Sequence, residues 1–235
     1  MPVEKNDVDI ERLFSWSKET IITGLKGKDI KVYLRLLGDA DLNRARVMAL
    51  RRSAEFRKAL KDPDSNERIA FIPYKEELSK DILVESIVAL SLRDLTQQSL
   101  REVVVKPPKD PDSDASTEEL EQFQKEVDEW PKKRESIVRE KIDVLANKRR
   151  EELRTQTEDI LYDTYLSQLI KELCEQELSK RFKEYCLFFG TYADKKFTQR
   201  FFESFDTFDK LPTEVKDRLI MEYSFLEVES EDLKK

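Results

Sequence analysis

The sequence predicts a mainly α protein with a small β-hairpin: an α+β N-terminal unit, a long helical arm and a helical C-terminal unit. Three observations carry this. From Ser116 to about Phe189 there is no glycine and one proline, Pro131. Charged residues make up 40% of the chain against 39% apolar, a balance that suits wetted helices better than a compact globule. Near the start, Ile30, Val32, Leu34 and Leu36 alternate with Lys31, Tyr33 and Arg35, the period of a half-buried strand.

In chain order, residues 1 to about 18 place Ile10, Leu13, Phe14 and Trp16 at the spacing of a short amphipathic helix or a strand-like arm docking on the body. Ile21, Ile22 and the turn Gly24 to Lys28 complete a hairpin over about 20–37. Gly38 ends the second strand, and Asp39 or Asp41 caps a helix over about 40–60 with Leu42, Ala45, Ala49 and Phe56 along one side. Its other face is basic, with Arg44, Arg46, Arg51, Arg52, Arg57 and Lys58, and reads first as a solvated face offset by nearby acids and second as a grip for an acidic partner. Asp62 to Asn66 is a break. A helix over about 75–98 follows, buried through Leu78, Ile82, Leu83, Ile87 and Leu90, and is expected to pack on the hairpin. Val103, Val104 and Val105 suit an edge strand. These elements make a unit over 1–105. The acidic, proline-rich stretch 106–117 reads as a mobile interdomain linker.

Ser116 and Glu119 have capping-box spacing and open the arm, 118–180, expected to kink near Pro131 because an interior proline removes a backbone bond. Leu120, Phe123, Val127 and Trp130 recur at three- and four-residue steps, a stripe that needs a partner. Past Lys141 the register loosens, which argues against a strict two-stranded coiled coil. The C-terminal unit, 181–235, begins with Phe182, Phe188, Phe189, Phe197, Phe201, Phe202, Phe205 and Phe208. Gly190 closes a helix, Phe197 to Phe202 begins another, and Pro212 starts a last one whose Val215, Leu219, Tyr223 and Leu226 face inward. Two readings of the phenylalanines stay open: the core of this unit, or a partly exposed surface that grips apolar helices of another protein.

Several chemistries lack their residues. With no histidine the chain has no imidazole base and no Ser-His or Cys-His pair. Its four glycines are scattered, so no phosphate loop forms, and Asp62 to Glu67 lacks the frame of a calcium loop. No enzyme activity, cofactor or metal is expected. Cys174 and Cys186, twelve residues apart in helix, would lie about 18 Å apart and read as free thiols of a reducing cytosol. The net charge of −7, with its basic clusters Lys132 to Arg134 and Lys148 to Arg150 balanced by nearby glutamates, argues against nucleic-acid binding. No apolar run suits a membrane span, and the start of the chain does not resemble a signal peptide.

The segment Lys31-Val32-Tyr33-Leu34-Arg35-Leu36-Leu37-Gly38, leading into a basic amphipathic helix, resembles the amino-terminal part of phage tail assembly chaperones. The run Phe202-Glu203-Ser204-Phe205-Asp206-Thr207-Phe208-Asp209-Lys210-Leu211-Pro212, with Glu214-Val215-Lys216 and Leu219 to Leu226 after it, resembles the ending of such proteins. The resemblance implies a non-enzymatic protein of the host cytoplasm that coats the apolar helices of a tape-measure protein until tail-tube subunits polymerise around them. Partner-binding candidates are Phe188, Phe189, Phe201, Phe202, Phe205 and Phe208, together with the stripe Leu120, Phe123, Val127 and Trp130. Homo-oligomerisation is left open. The competing readings are a structural virion component, a connector or scaffold, and a helical protein–protein adaptor.

Overall fold

The computed structural model describes residues 17–25, 28–111 and 116–232. It is mainly α with a small antiparallel sheet, as expected. The expected N-terminal arm, up to residue 16, lies outside the described residues. The chain divides into two compact units: one joins the residues up to Ala59 with those from Cys174 onward, and the other is Leu60–Leu173.

In the first unit β1 (Ser17–Leu25) and β2 (Lys28–Arg35) form the expected hairpin, with Ile22 opposite Ile30 and Ser17 opposite Arg35. Thr20, Ile22, Val32 and Leu34 are buried while Glu19, Ile21 and Lys31 face water, the alternation of a sheet with one covered face. Helix α1 (Asp39–Lys61) follows Gly38, whose carbonyl accepts from the Leu42 N–H at 3.0 Å. The covering residues come from the far end of the chain. Within one core, Val32, Leu34, Ala45 and Ala49 meet Tyr185, Cys186, Leu187 and Phe189 near the end of the long helix α5 (Glu158–Gly190), and Leu219, Tyr223 and Leu226 of helix α7 (Thr213–Asp232). The two-residue strand β3 (Thr191–Tyr192) adds to β2, Thr191 opposite Leu34 and Tyr192 opposite Tyr33. Gly190 makes this junction sterically feasible: a Cβ there would meet the Arg35 carbonyl oxygen at 2.8 Å and the Tyr223 ring at 3.0 Å. The Tyr223 hydroxyl in turn accepts from the Leu37 N–H at 3.2 Å.

The second unit holds a short helix α2 (Asn66–Phe71), a 3-10 turn (Lys75–Glu77), α3 (Lys80–Glu102), α4 (Thr117–Arg154) and the first part of α5. Serines start three of these helices: Ser65, Ser79 and Ser116 each accept a backbone N–H three residues on. The capping box is complete, since the Glu119 carboxylate accepts from the Ser116 N–H at 2.7 Å. Helices α3 and α4 run antiparallel, tied by Glu85–Arg150 at 2.9 Å and Glu102–Lys141 at 3.0 Å. Leu83, Val84, Ile87 and Val88 pack with Ala146, Leu153, Leu161 and Tyr165.

Several expectations are corrected. The sequential division 1–105, 106–117, 118–180 and 181–235 gives way to an interleaved one, because the apolar face of the hairpin is completed by residues after Cys174. The second helix, beginning at Lys80 rather than near 75, packs on α4 and α5 in its own unit and not on the hairpin; Ile82 is 49% exposed. The seventy-residue helical stretch is two helices broken at Thr155–Thr157, and α4 continues through Pro131. Val103 to Val105 form no strand, and 197–202 no helix. Residues 103–111 join α3 to α4 within one unit rather than separating two domains.

Candidate protein-binding surface

Two sets of candidate residues fall in different units. In the first unit the aromatic set is largely core: Phe208 is wholly buried, and Phe202 and Phe189 are 4% and 5% exposed, while Phe188, Phe201 and Phe205 are half-buried. The rings pack edge to face, Phe202 with Phe208 at 5.1 Å and Phe188 with Phe205 at 5.7 Å, and Tyr185 lies 4.1 Å from Phe205. As binding candidates, Phe189, Phe202 and Phe208 are therefore corrected to core. The short helix α6 (Phe205–Asp209), capped by Ser204, turns Phe208 inward, and Phe201 and Phe202 lie in irregular chain before it.

Polar groups that spacing alone does not reveal hold this cluster in place. Arg44 of the basic face and Arg200 both lie over Phe189, at 5.0 and 5.7 Å, and Arg200 donates to Asp41 at 2.7 Å. Arg181 pairs with Glu177, Glu184 and Asp209 at 2.7, 2.9 and 2.9 Å, so a buried glutamate is neutralised and α6 is tied to α5. Burial pushes the Asp209 carboxyl up, but the Arg181 guanidinium and the nearby Lys216 outweigh it and hold the group below its ordinary value. Asp194 organises the turn after β3. Burial opposes its ionisation, yet N–H groups of Gln199, Thr198 and Lys196, with the Thr198 hydroxyl, hold it below the ordinary value, and Phe197 takes a positive φ of 56°. These groups shape a fold and present no reacting pair. Both cysteines are free and buried, and burial pushes the Cys186 thiol up to about 12, far from a reactive thiolate.

The second set stays at the surface. Along α4, Leu120 is 49% exposed and Val127 and Ile137 are each 36% exposed, with Phe123 and Trp130 half-buried between them. The reason is the length of the neighbour. Helix α3 ends at Glu102, opposite Lys141, so the turns of α4 before that point extend past it. The chain from Val103 runs back along α4, bringing Lys106 beside Trp130. Residues 103–111 carry no helix or strand, and Val105, Pro108 and Pro111 are half-buried at three-residue steps, the period of a polyproline helix. The Trp130 indole N–H donates to the Lys106 carbonyl at 3.0 Å, and Arg134 lies 5.7 Å from the Trp130 ring. The connection covers one flank of the stripe and leaves Leu120 and Val127 open.

A cleft of about 190 Å³ between β1 and α7 is lined by Ile21, Ile22, Val215 and Leu219 with Glu214 and Arg218. Among the described residues there is no group of three or more acidic, cysteine or histidine side chains that could hold a metal ion, and no helix long and apolar enough to cross a membrane. No protein-family model matches the chain, and no similar protein was found among curated proteins or among solved structures.

Proposed function

We propose that this chain is a non-enzymatic phage tail assembly chaperone of the host cytoplasm, which binds apolar helices of a tape-measure protein and helps recruit tail-tube subunits. The observation that carries this reading is the stripe Leu120, Phe123, Val127 and Trp130, which lies on a helix whose packing neighbour ends short of it. An apolar seam of this kind accepts an amphipathic helix along its length. The acidic residues beside it, Glu119, Glu121, Glu126 and Asp128, keep it soluble and favour basic flanks on the client. The resemblance of Lys31–Gly38 and of Phe202–Leu226 to such chaperones supplies the phage context. The buried phenylalanines take no part in gripping the client; Phe188, Phe201 and Phe205 frame the core that supports the unit.

The test is co-expression with a helical segment of a tape-measure protein encoded beside this gene. The client should remain soluble and co-purify with the wild-type chain, and Val127→Ser should reduce recovery several-fold while leaving the helical circular-dichroism signal unchanged. Equal client solubility with and without the chain would remove the chaperone reading.

A further inference from the structure

The α4 stripe has a second property, and a partner seated by it would compete with a client for the same residues. Continuing the three- and four-residue steps past Trp130 reaches Arg134 and then Ile137, so the positions 120, 123, 127, 130, 134 and 137 form alternating first and fourth places of a heptad. Reversed end to end, this series maps onto itself: Leu120 falls opposite Ile137, Phe123 opposite Arg134 and Val127 opposite Trp130. We propose that α4 pairs antiparallel with the α4 of a second copy of this chain, about a twofold axis passing between Asp128 and Glu129.

Charge selects this direction. In a parallel pair Arg134 would face Arg134 in the seam, two like charges with no counter-ion between them. In the antiparallel pair each Arg134 faces the Phe123 ring of the other copy, extending the stacking it already makes on Trp130. The positions flanking the seam agree. Glu126 lies opposite Lys133 of the second copy, and symmetry makes that attraction twice. At the outer ends Glu119 meets Glu140, so the pair is weakened there. On a larger scale the acidic turns from Glu118 to Glu129 meet the basic turns from Lys132 to Lys141, whereas a parallel pair would stack acid on acid. The connection 103–111 lies against Trp130 through the Lys106 carbonyl, while Leu120, Val127 and Ile137 keep at least 36% of their surface with it in place. The seam is about 26 Å long at 1.5 Å per residue, so the dimer is reversible rather than obligate.

Sedimentation velocity on the full chain at low salt tests this. The wild type should shift from monomer to dimer with concentration in the micromolar range. Glu126→Lys alone places lysine against Lys133, and Lys133→Glu alone places glutamate against Glu126, so each should weaken dimerisation at least tenfold. Mixed in equal amounts, the two variants should form a heterodimer of near wild-type affinity, a rescue that an orientation other than antiparallel does not provide. Both positions are exposed, so an unchanged melting curve for each variant separates lost pairing from lost fold. A wild type that stays monomeric to 100 micromolar (~10⁻⁴ M, well above the expected affinity), or variants that fail to rescue one another, would overturn the proposal. A monomer that still solubilises the client would do so while leaving the chaperone reading standing.

Discussion

The phenylalanines after Phe182 and the stripe of α4 carry the same kind of residue at the same kind of spacing, and they end in opposite places. Phe208 has no exposed surface, whereas Leu120 keeps 49% of its own. Periodicity states that a helix has an apolar face; it does not state what covers it. For Phe208 the cover is local and continuous, with Phe202, Phe205 and the end of α5 around it. For Leu120 the neighbouring helix stops at Glu102, several turns short. An uncovered apolar stripe arises in this chain where one helix outlasts its neighbour, not where aromatic residues are densest.

Substitutions sharpen this contrast, and the largest effect is expected at Phe208. Phe208→Ala should cost about 3–5 kcal/mol, read by urea denaturation, because it empties a fully enclosed site. Tolerance of that change would mean that the cluster is not core. Gly190→Ala should cost about 1–3 kcal/mol, since the added carbon meets backbone 2.8 Å away that cannot swing aside; an unchanged midpoint would mean that α5 and β2 do not approach so closely. Acid should act on the first unit through Asp209. Its native carboxyl titrates below the ordinary 3.8, so the stability from its pairs with Arg181 and Lys216 is complete above that pH and is lost as pH falls through the lower native value. Asp209→Asn should flatten the acid limb of a stability–pH profile. Smallest of all, Leu120→Ser should stay within about 0.5 kcal/mol of wild type in the same denaturation experiment, as an exposed position does.

What could be read in the sequence follows the range of the interaction. The capping box at Ser116 and Glu119, the hairpin about Ile22 and Ile30, and the inward face Leu219, Tyr223 and Leu226 are set by residues a few places apart, and the structure has them. Strand β3 has two residues and no alternation to detect; it exists because Thr191 and Tyr192 meet the free edge of β2. The hydrogen bonds that build the turn at Asp194 are likewise invisible, since an aspartate that collects backbone N–H groups looks in sequence like any other. Val103 to Val105 suggested a strand that does not form, whereas the stretch 106–111 was legible as non-helical from its prolines. Its path along α4 was not, because that follows from the antiparallel pairing of α3 and α4. The stripe itself was plain in the spacing, and its exposure depended on where α3 stops.

The interleaving of the two units also sets a schedule for synthesis. Residues 60–173 are contiguous, so their core can close as soon as they leave the ribosome. The hairpin and α1 are made earlier and must wait. Val32, Leu34, Ala45 and Ala49 gain their cover only when Tyr185 to Phe189 and Leu219 to Leu226 arrive, more than 130 positions later. At roughly 5–20 residues per second, that leaves an apolar hairpin uncovered for several seconds or more of translation. The hairpin is thus made before the 60–173 unit and finished after it, and during that interval its β1–β2 face needs protection from aggregation.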